Sequence, residues 1–157
     1  MLKLRLIVVD RTRSQFLKEG ESFYLKRLRK YTQVAYDEVK PIKIRKGKTE
    51  AEILGAEGEA IARRVTPGDY VVSLDRSGCD YDSEELARWL ERLSIETKGW
   101  VCFAIGGPLG LSKPLLERSD KILSLSRLTL THEMSRLVLL EQLYRAFTIM
   151  RGQKYHK

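Results

Sequence analysis

Two segments of the chain carry residue types that could hold a small polar ligand: Ile105-Gly106-Gly107-Pro108-Leu109-Gly110 and Leu125-Ser126-Arg127-Leu128-Thr129-Leu130. In the first, Gly106, Gly107 and Gly110 around Pro108 allow backbone conformations and a close ligand approach that a Cβ would block, and they expose amides ahead of a helix. A simple tight turn explains the same glycines, and the pattern is neither a phosphate loop nor GxGxxG. The second segment lies within Ser124–Glu133, a run rich in hydroxyls. Helix capping by Thr131 accounts for one residue of that run and leaves Ser126, Arg127, Thr129 and His132 unassigned. The leucines between them can wall a flat ring such as adenine. His132 and Arg136 stand four residues apart near the start of a long helical segment, where the helix dipole favours a neutral imidazole. That state suits a hydrogen-bonding role, a proton-accepting role or a structural contact. Glu141 and Arg145 share the same spacing and read as a structural salt bridge.

The hydrophobic pattern supplies the elements that position these groups. Leu2, Leu4 and Leu6 alternate with charged residues and run into Ile7-Val8-Val9, a strand that begins half exposed and becomes buried. Ser14 can cap a helix over Gln15 to Lys30, with Phe16, Phe23, Tyr24 and Leu28 as its apolar face and Lys26, Arg27, Arg29 and Lys30 as a basic one. That basic face is either a candidate RNA surface or a solvated helix side. Val34 to Ile44 reads as a second strand, and Thr49-Glu50-Ala51-Glu52 is a capping box opening a helix towards Arg64. Tyr70 to Leu74 is a short buried strand closed by Asp75 to Gly78; Ser83 caps a helix to Leu93; Trp100 to Ile105 is another strand. Ser112 caps a helix over Lys113 to Arg118, Lys121 to Leu125 is the last strand, and the longest helix runs from Thr131 to Arg151. The alternation predicts an α/β fold with a mostly parallel sheet flanked by helices, in which ligands bind beyond the carboxyl ends of the strands. Leu74, Gly106 and Leu125 lie at three such ends.

With 157 residues and 43% hydrophobic content the chain can bury one core, so residues 1–157 are read as a single domain. The 29 Lys and Arg against 21 Asp and Glu give a net charge of +8, which favours a polyanionic partner without identifying one. Cys79 and Cys102 are the only cysteines, with no CxxC pair and no His or Cys cluster to complete a metal shell, so a reduced protein without a metal is expected. No signal peptide or membrane-length apolar run is visible, and a cytoplasmic location is the default. In the longest helix, Met134, Leu137, Val138, Leu139, Leu140, Leu143, Tyr144, Phe147, Ile149 and Met150 occupy every side of the wheel. Such a helix is expected to face its own sheet on one side and a second subunit on the other, which predicts a homodimer.

The segments Val71–Asp75, Phe103–Ser112 and Leu123–His132, together with Arg136, Glu141-Gln142-Leu143-Tyr144-Arg145-Ala146 and the tail Tyr155-His156-Lys157, resemble the family of ribosomal RNA large subunit methyltransferase H. The resemblance covers nearly the whole chain. It implies a SPOUT methyltransferase fold with a C-terminal trefoil knot, where ordinary topology rules would favour an unknotted sheet. It further implies S-adenosyl-L-methionine as cofactor, held at Leu74, Gly106 and the run Leu125 to Leu130, with Gly107 and Gly110 in the same glycine loop. The implied reaction is methylation of N3 of a pseudouridine in 23S rRNA on assembled ribosomes, by a homodimer in which the tail of one subunit completes the site facing the other's cofactor. His132, Arg136, Tyr155 and His156 are the candidates for orientation, proton removal or RNA contact. A knotted methyltransferase acting on tRNA ribose and a silent ribosome-binding factor are the alternatives.

Overall fold

The computed structural model describes residues 1–43 and 45–157. The N-terminal alternation becomes strand β1 (Lys3–Val9), in which Leu4, Leu6 and Val8 enter one core and Ile7 and Val9 enter another on the opposite side of the sheet. Helix α1 (Gln15–Leu28) follows, then strand β2 (Gln33–Val39), helix α2 (Glu50–Ala62) and strand β3 (Tyr70–Asp80). Helix α3 (Ser83–Glu96), strand β4 (Val101–Ile105), helix α4 (Lys113–Arg118), strand β5 (Lys121–Ser124) and helix α5 (His132–Met150) complete the chain. All paired strands run parallel, in the order β2-β1-β4-β3-β5. Helices α1, α3 and α5 cover the larger core and α2 and α4 the smaller, giving three layers. Every residue of β4 is buried, as a strand covered on both faces requires.

Several local expectations hold for the stated reasons. Thr49 and Glu52 form a reciprocal capping box at α2, Ser112 Oγ accepts from Leu115 N at α4, and Thr131 Oγ1 accepts from Met134 N at α5. The second strand ends at Val39, and Ile44, the expected end of that strand, lies outside the described residues.

Other expectations are corrected. Ser14 occupies the N-cap of α1 but its side chain caps nothing; Glu133 Oε1, reaching over from α5, accepts from the backbone N–H of Arg13 at 2.6 Å and of Ser14 at 3.2 Å. A carboxylate from another helix thus anchors the chain just ahead of α1, at Arg13 and Ser14, while the first-turn amides that the hydroxyl was expected to serve receive no bond from it. The buried side of α1 carries Leu17, Glu21 and Leu28, whereas Phe16 and Phe23 are 65% and 47% exposed. Glu21 is tolerated there because Thr12 Oγ1 donates to it at 3.1 Å and Tyr36 Oη at 2.5 Å. At α3, Asp82 rather than Ser83 is the cap, paired reciprocally with Glu85. Strand β3 does not close at Leu74: Asp75 to Gly78 bulge outward, and Cys79 and Asp80 return to pair with Leu123 and Ser124.

Helix α5 packs against both α1 and α3 as well as the sheet. Its buried residues Leu139, Leu140, Leu143, Ala146 and Phe147 are joined by half-buried Met134, Leu137, Val138 and Tyr144, so much of its apolar girth is covered within one chain by its flanking helices.

Candidate active site

Three strand ends open into one cleft of about 620 Å³. Leu74 and the bulge residues Asp75 and Arg76 form one wall, Ile105 to Pro108 with Gly110 a second, and Leu123 to Ser126 with Leu128 to Glu133 a third. Its volume lies within the range of about 300–1,000 Å³ usual for small-molecule sites. Among the expected cofactor positions, Leu74, Gly106, Gly107, Gly110, Leu125, Ser126, Leu128, Thr129 and Leu130 line this cleft, while Arg127 is exposed and does not.

The glycine loop is shaped by its own backbone. A Cβ on Gly106 would stand 2.3 Å from Gly110 O and 2.5 Å from Gly110 C, so the loop can fold back on itself only with glycine there. Gly110 N donates to Gly107 O at 3.0 Å, and Gly110 holds φ +82, a left-handed conformation that L side chains rarely adopt. The demand for glycine at position 106 thus comes first from this close loop contact.

The opposite loop is tied by its hydroxyls. Ser124 Oγ donates to Ser126 O at 3.0 Å, and Ser126 Oγ accepts from Leu128 N at 3.0 Å. Arg76 Nη1 donates to Thr129 Oγ1 at 2.5 Å and so links the β3 bulge to the β5–α5 loop. Asp75, at the strand end expected to face a ligand, and Arg76, which reads from sequence only as part of a strand-closing turn, both line the cleft. Two charged residues directly after a buried strand end were the available signal.

His132, the first residue of α5, lines the cleft. Burial, reinforced by the Arg136 guanidinium, lowers its pKa below the ordinary histidine value, so its imidazole is neutral at pH 7. Glu133 beside it stays ionised: burial works against its charge, but the N–H groups of Ser14 and Arg13, then His132 and Arg136, outweigh that and hold its pKa down. Arg136 does not reach the cleft lining. It is fully buried, with Nη2 donating to Val9 O at 2.5 Å and Nη1 to Thr12 Oγ1 at 3.0 Å, and its Nε has no partner among the described residues.

The C-terminal candidates lie elsewhere, folded onto α5 of their own chain. Tyr155 Oη donates to Glu141 Oε1 at 3.2 Å, and its ring packs edge-on against Tyr144 at 4.8 Å and under the Arg145 guanidinium at 4.8 Å. Burial, with Tyr24 and Glu141 adding to it, raises its pKa, so this phenol keeps its proton at pH 7 and can donate a hydrogen bond but not act as a base. His156 Nδ1 sits 3.5 Å from Arg145 Nη1, and its Nε2 lies 3.8 Å from Glu84. The expected Glu141–Arg145 bridge is present at 2.6 Å. Of the four catalytic candidates, only His132 is brought to the cleft within one chain.

This arrangement coincides with a family assignment. Residues 2–156 match the family profile described as a predicted SPOUT methyltransferase. The chain is 44% identical to "Ribosomal RNA large subunit methyltransferase H" of Moorella thermoacetica, with 100% of both chains covered. It is 40% identical to the protein of the same name from Carboxydothermus hydrogenoformans, covering 99% of this chain and 100% of that one. Among solved structures it resembles a probable methyltransferase from Bordetella pertussis with a TM-score of 0.59 and 13% identity, over 92% of this chain and 94% of that one, a likeness of fold. The whole length of the chain, cleft loops included, belongs to the SPOUT methyltransferase family.

Proposed function

We propose that the chain transfers a methyl group from S-adenosyl-L-methionine to N3 of a pseudouridine in 23S ribosomal RNA on assembled ribosomes, as a cytoplasmic homodimer. One observation carries the reading: the strand ends at Leu74, Gly106 and Leu125 line a single cleft of about 620 Å³, in a chain that aligns end to end with relatives named for ribosomal RNA methylation. The cleft suits the cofactor because its leucines 125, 128 and 130 offer apolar walls for a purine, while the glycine loop brings backbone rather than side chains to its other side. When bound there, the cofactor supplies a sulfonium-activated methyl group. The reading includes the C-terminal trefoil knot that the family resemblance implies.

The chain's own task is to align N3 with the methyl and to dispose of the N3 proton. His132 is the cleft group suited to the second task, because its imidazole is neutral at pH 7 and has a lone pair to offer. Arg136 acts behind it, pinning the end of β1 to α5. Tyr155 and His156 point to a partner: anchored on Glu141 and Arg145, they meet a cleft only if a second subunit presents one. Exposed Phe16 and Phe23 on α1 offer apolar surface for such a contact, and the homodimer should sediment at twice 18.2 kDa.

Two measurements follow. Methyl transfer from labelled cofactor should appear in 23S rRNA when intact ribosomes are supplied alongside free large subunits and tRNA; label in tRNA alone would favour the ribose-modifying alternative. The rate should fall as pH drops through a pKa below 6.5, where the His132 imidazole becomes charged. His132→Gln should lower turnover by about 10²-fold or more and abolish that acid limb; an unchanged pH profile would remove His132 from the proton path.

A further inference from the structure

A second cavity, of about 290 Å³, lies at the C-terminal end of α1, lined by Lys26, Arg27, Lys30 and Tyr31 together with Tyr144 of α5. Three cations converge on it, and among the described residues none of them has a carboxylate within 4.0 Å, whereas Arg5, Arg13, Arg88, Lys113, Arg118 and Arg145 are all paired. Arg27 is held in place without being neutralised: its guanidinium lies 3.3 Å from the Phe23 ring centroid, and Nη1 donates to Phe23 O at 3.3 Å. The aromatic wall is equally constrained. Tyr31 stacks on Phe147 at 5.8 Å and donates its hydroxyl to Gln153 of the tail, while Tyr144 packs against Tyr155 at 4.8 Å. Like charges gathered around a fixed concavity repel one another until an anion enters it. The cavity is large enough for a phosphodiester group, and its wall is bonded to the same tail that carries Tyr155 and His156.

We propose that this pocket seats a backbone phosphate of the substrate RNA, beside the tail that faces the partner's cleft. The inference rests on the ribosomal RNA reading above and adds to it the surface that positions the RNA. Phosphate contacts of this kind set register rather than read bases, which suits a chain whose candidate chemistry lies at a separate cleft.

The test compares the full chain with Lys26→Gln/Lys30→Gln in binding to purified ribosomes across a salt series. A control, Arg63→Gln/Lys98→Gln, removes two exposed charges that do not line the pocket. The pocket variant should bind ribosomes about tenfold more weakly, with the slope of log affinity against log salt reduced by about one to two. Its KM for ribosomes should rise while cofactor affinity holds, and Lys26→Arg/Lys30→Arg should restore binding. Unchanged affinity and slope would overturn the proposal, as would an equal loss in the control, which would assign the effect to net charge. Weakened binding of poly-glutamate with ribosome binding intact would assign the pocket to an acidic protein and overturn it too. Ribosomes that bind the wild-type chain but receive no methyl group would contradict the ribosomal RNA methylation reading alone, since the salt slope still decides the pocket.

Discussion

Gly106→Ala should weaken S-adenosyl-L-methionine binding at least tenfold in calorimetry. The added Cβ would stand 2.3 Å from Gly110 O and 2.5 Å from Gly110 C, and both are backbone atoms of the loop that walls the cleft. No rotamer relieves a backbone collision, so the loop must open and Gly107 and Pro108 must leave their places in the wall. A tenfold loss corresponds to about 1.4 kcal/mol, a small figure beside the displacement of one of three cleft walls. One methyl group is a sharper probe here than a bulky side chain, because it fills none of the cleft and acts only through the loop. Retained affinity would mean that the glycine loop does not build the cofactor site.

Arg136→Ala should lower the stability of the fold by about 3 kcal/mol. Arg136 is the largest fully buried side chain, and its guanidinium joins Val9 O at the end of β1 and Thr12 Oγ1 in the β1–α1 turn to α5. Truncation leaves Val9 O without this donor, opens a cavity and removes a cation whose field reaches the Glu21–Tyr36 pair. For a chain of this size the midpoint should fall by roughly 6–12 °C. Chemical denaturation that shows a loss below about 1 kcal/mol would contradict the claim that this arginine clamps the end of β1. Its removal should also let the His132 pKa rise, since the Arg136 charge helps hold it down.

Features written in adjacent residues were the legible ones. The capping box at Thr49 and Glu52, the caps at Ser112 and Thr131, and the unbroken apolar run of β4 all place their elements within a residue or two. The three strand ends that form the cleft were visible for the same reason, because each joins a buried apolar run to an abrupt change of residue type. Contacts between distant segments were not legible. Nothing local to Ser14 indicates that Glu133 will bind the amides of Arg13 and Ser14 from across the fold, and nothing local to Glu21 indicates that Tyr36 and Thr12 will make its burial affordable. With those partners unseen, the phenylalanines looked like the apolar face of α1. For helix α5, spacing alone could not place α1 and α3 beside it, so the share of its apolar surface covered within the chain was not legible. At Asp82 and Ser83 two adjacent residues can each cap, and only Glu85, three positions after Asp82, distinguishes them.

The most direct test of the central claim is a methyl-transfer assay with labelled S-adenosyl-L-methionine and intact ribosomes, followed by nuclease digestion and mass analysis of the labelled nucleoside. The account predicts a single labelled product, N3-methylated pseudouridine, released from 23S rRNA. Label confined to tRNA ribose, or no label together with no heat of cofactor binding, would contradict it.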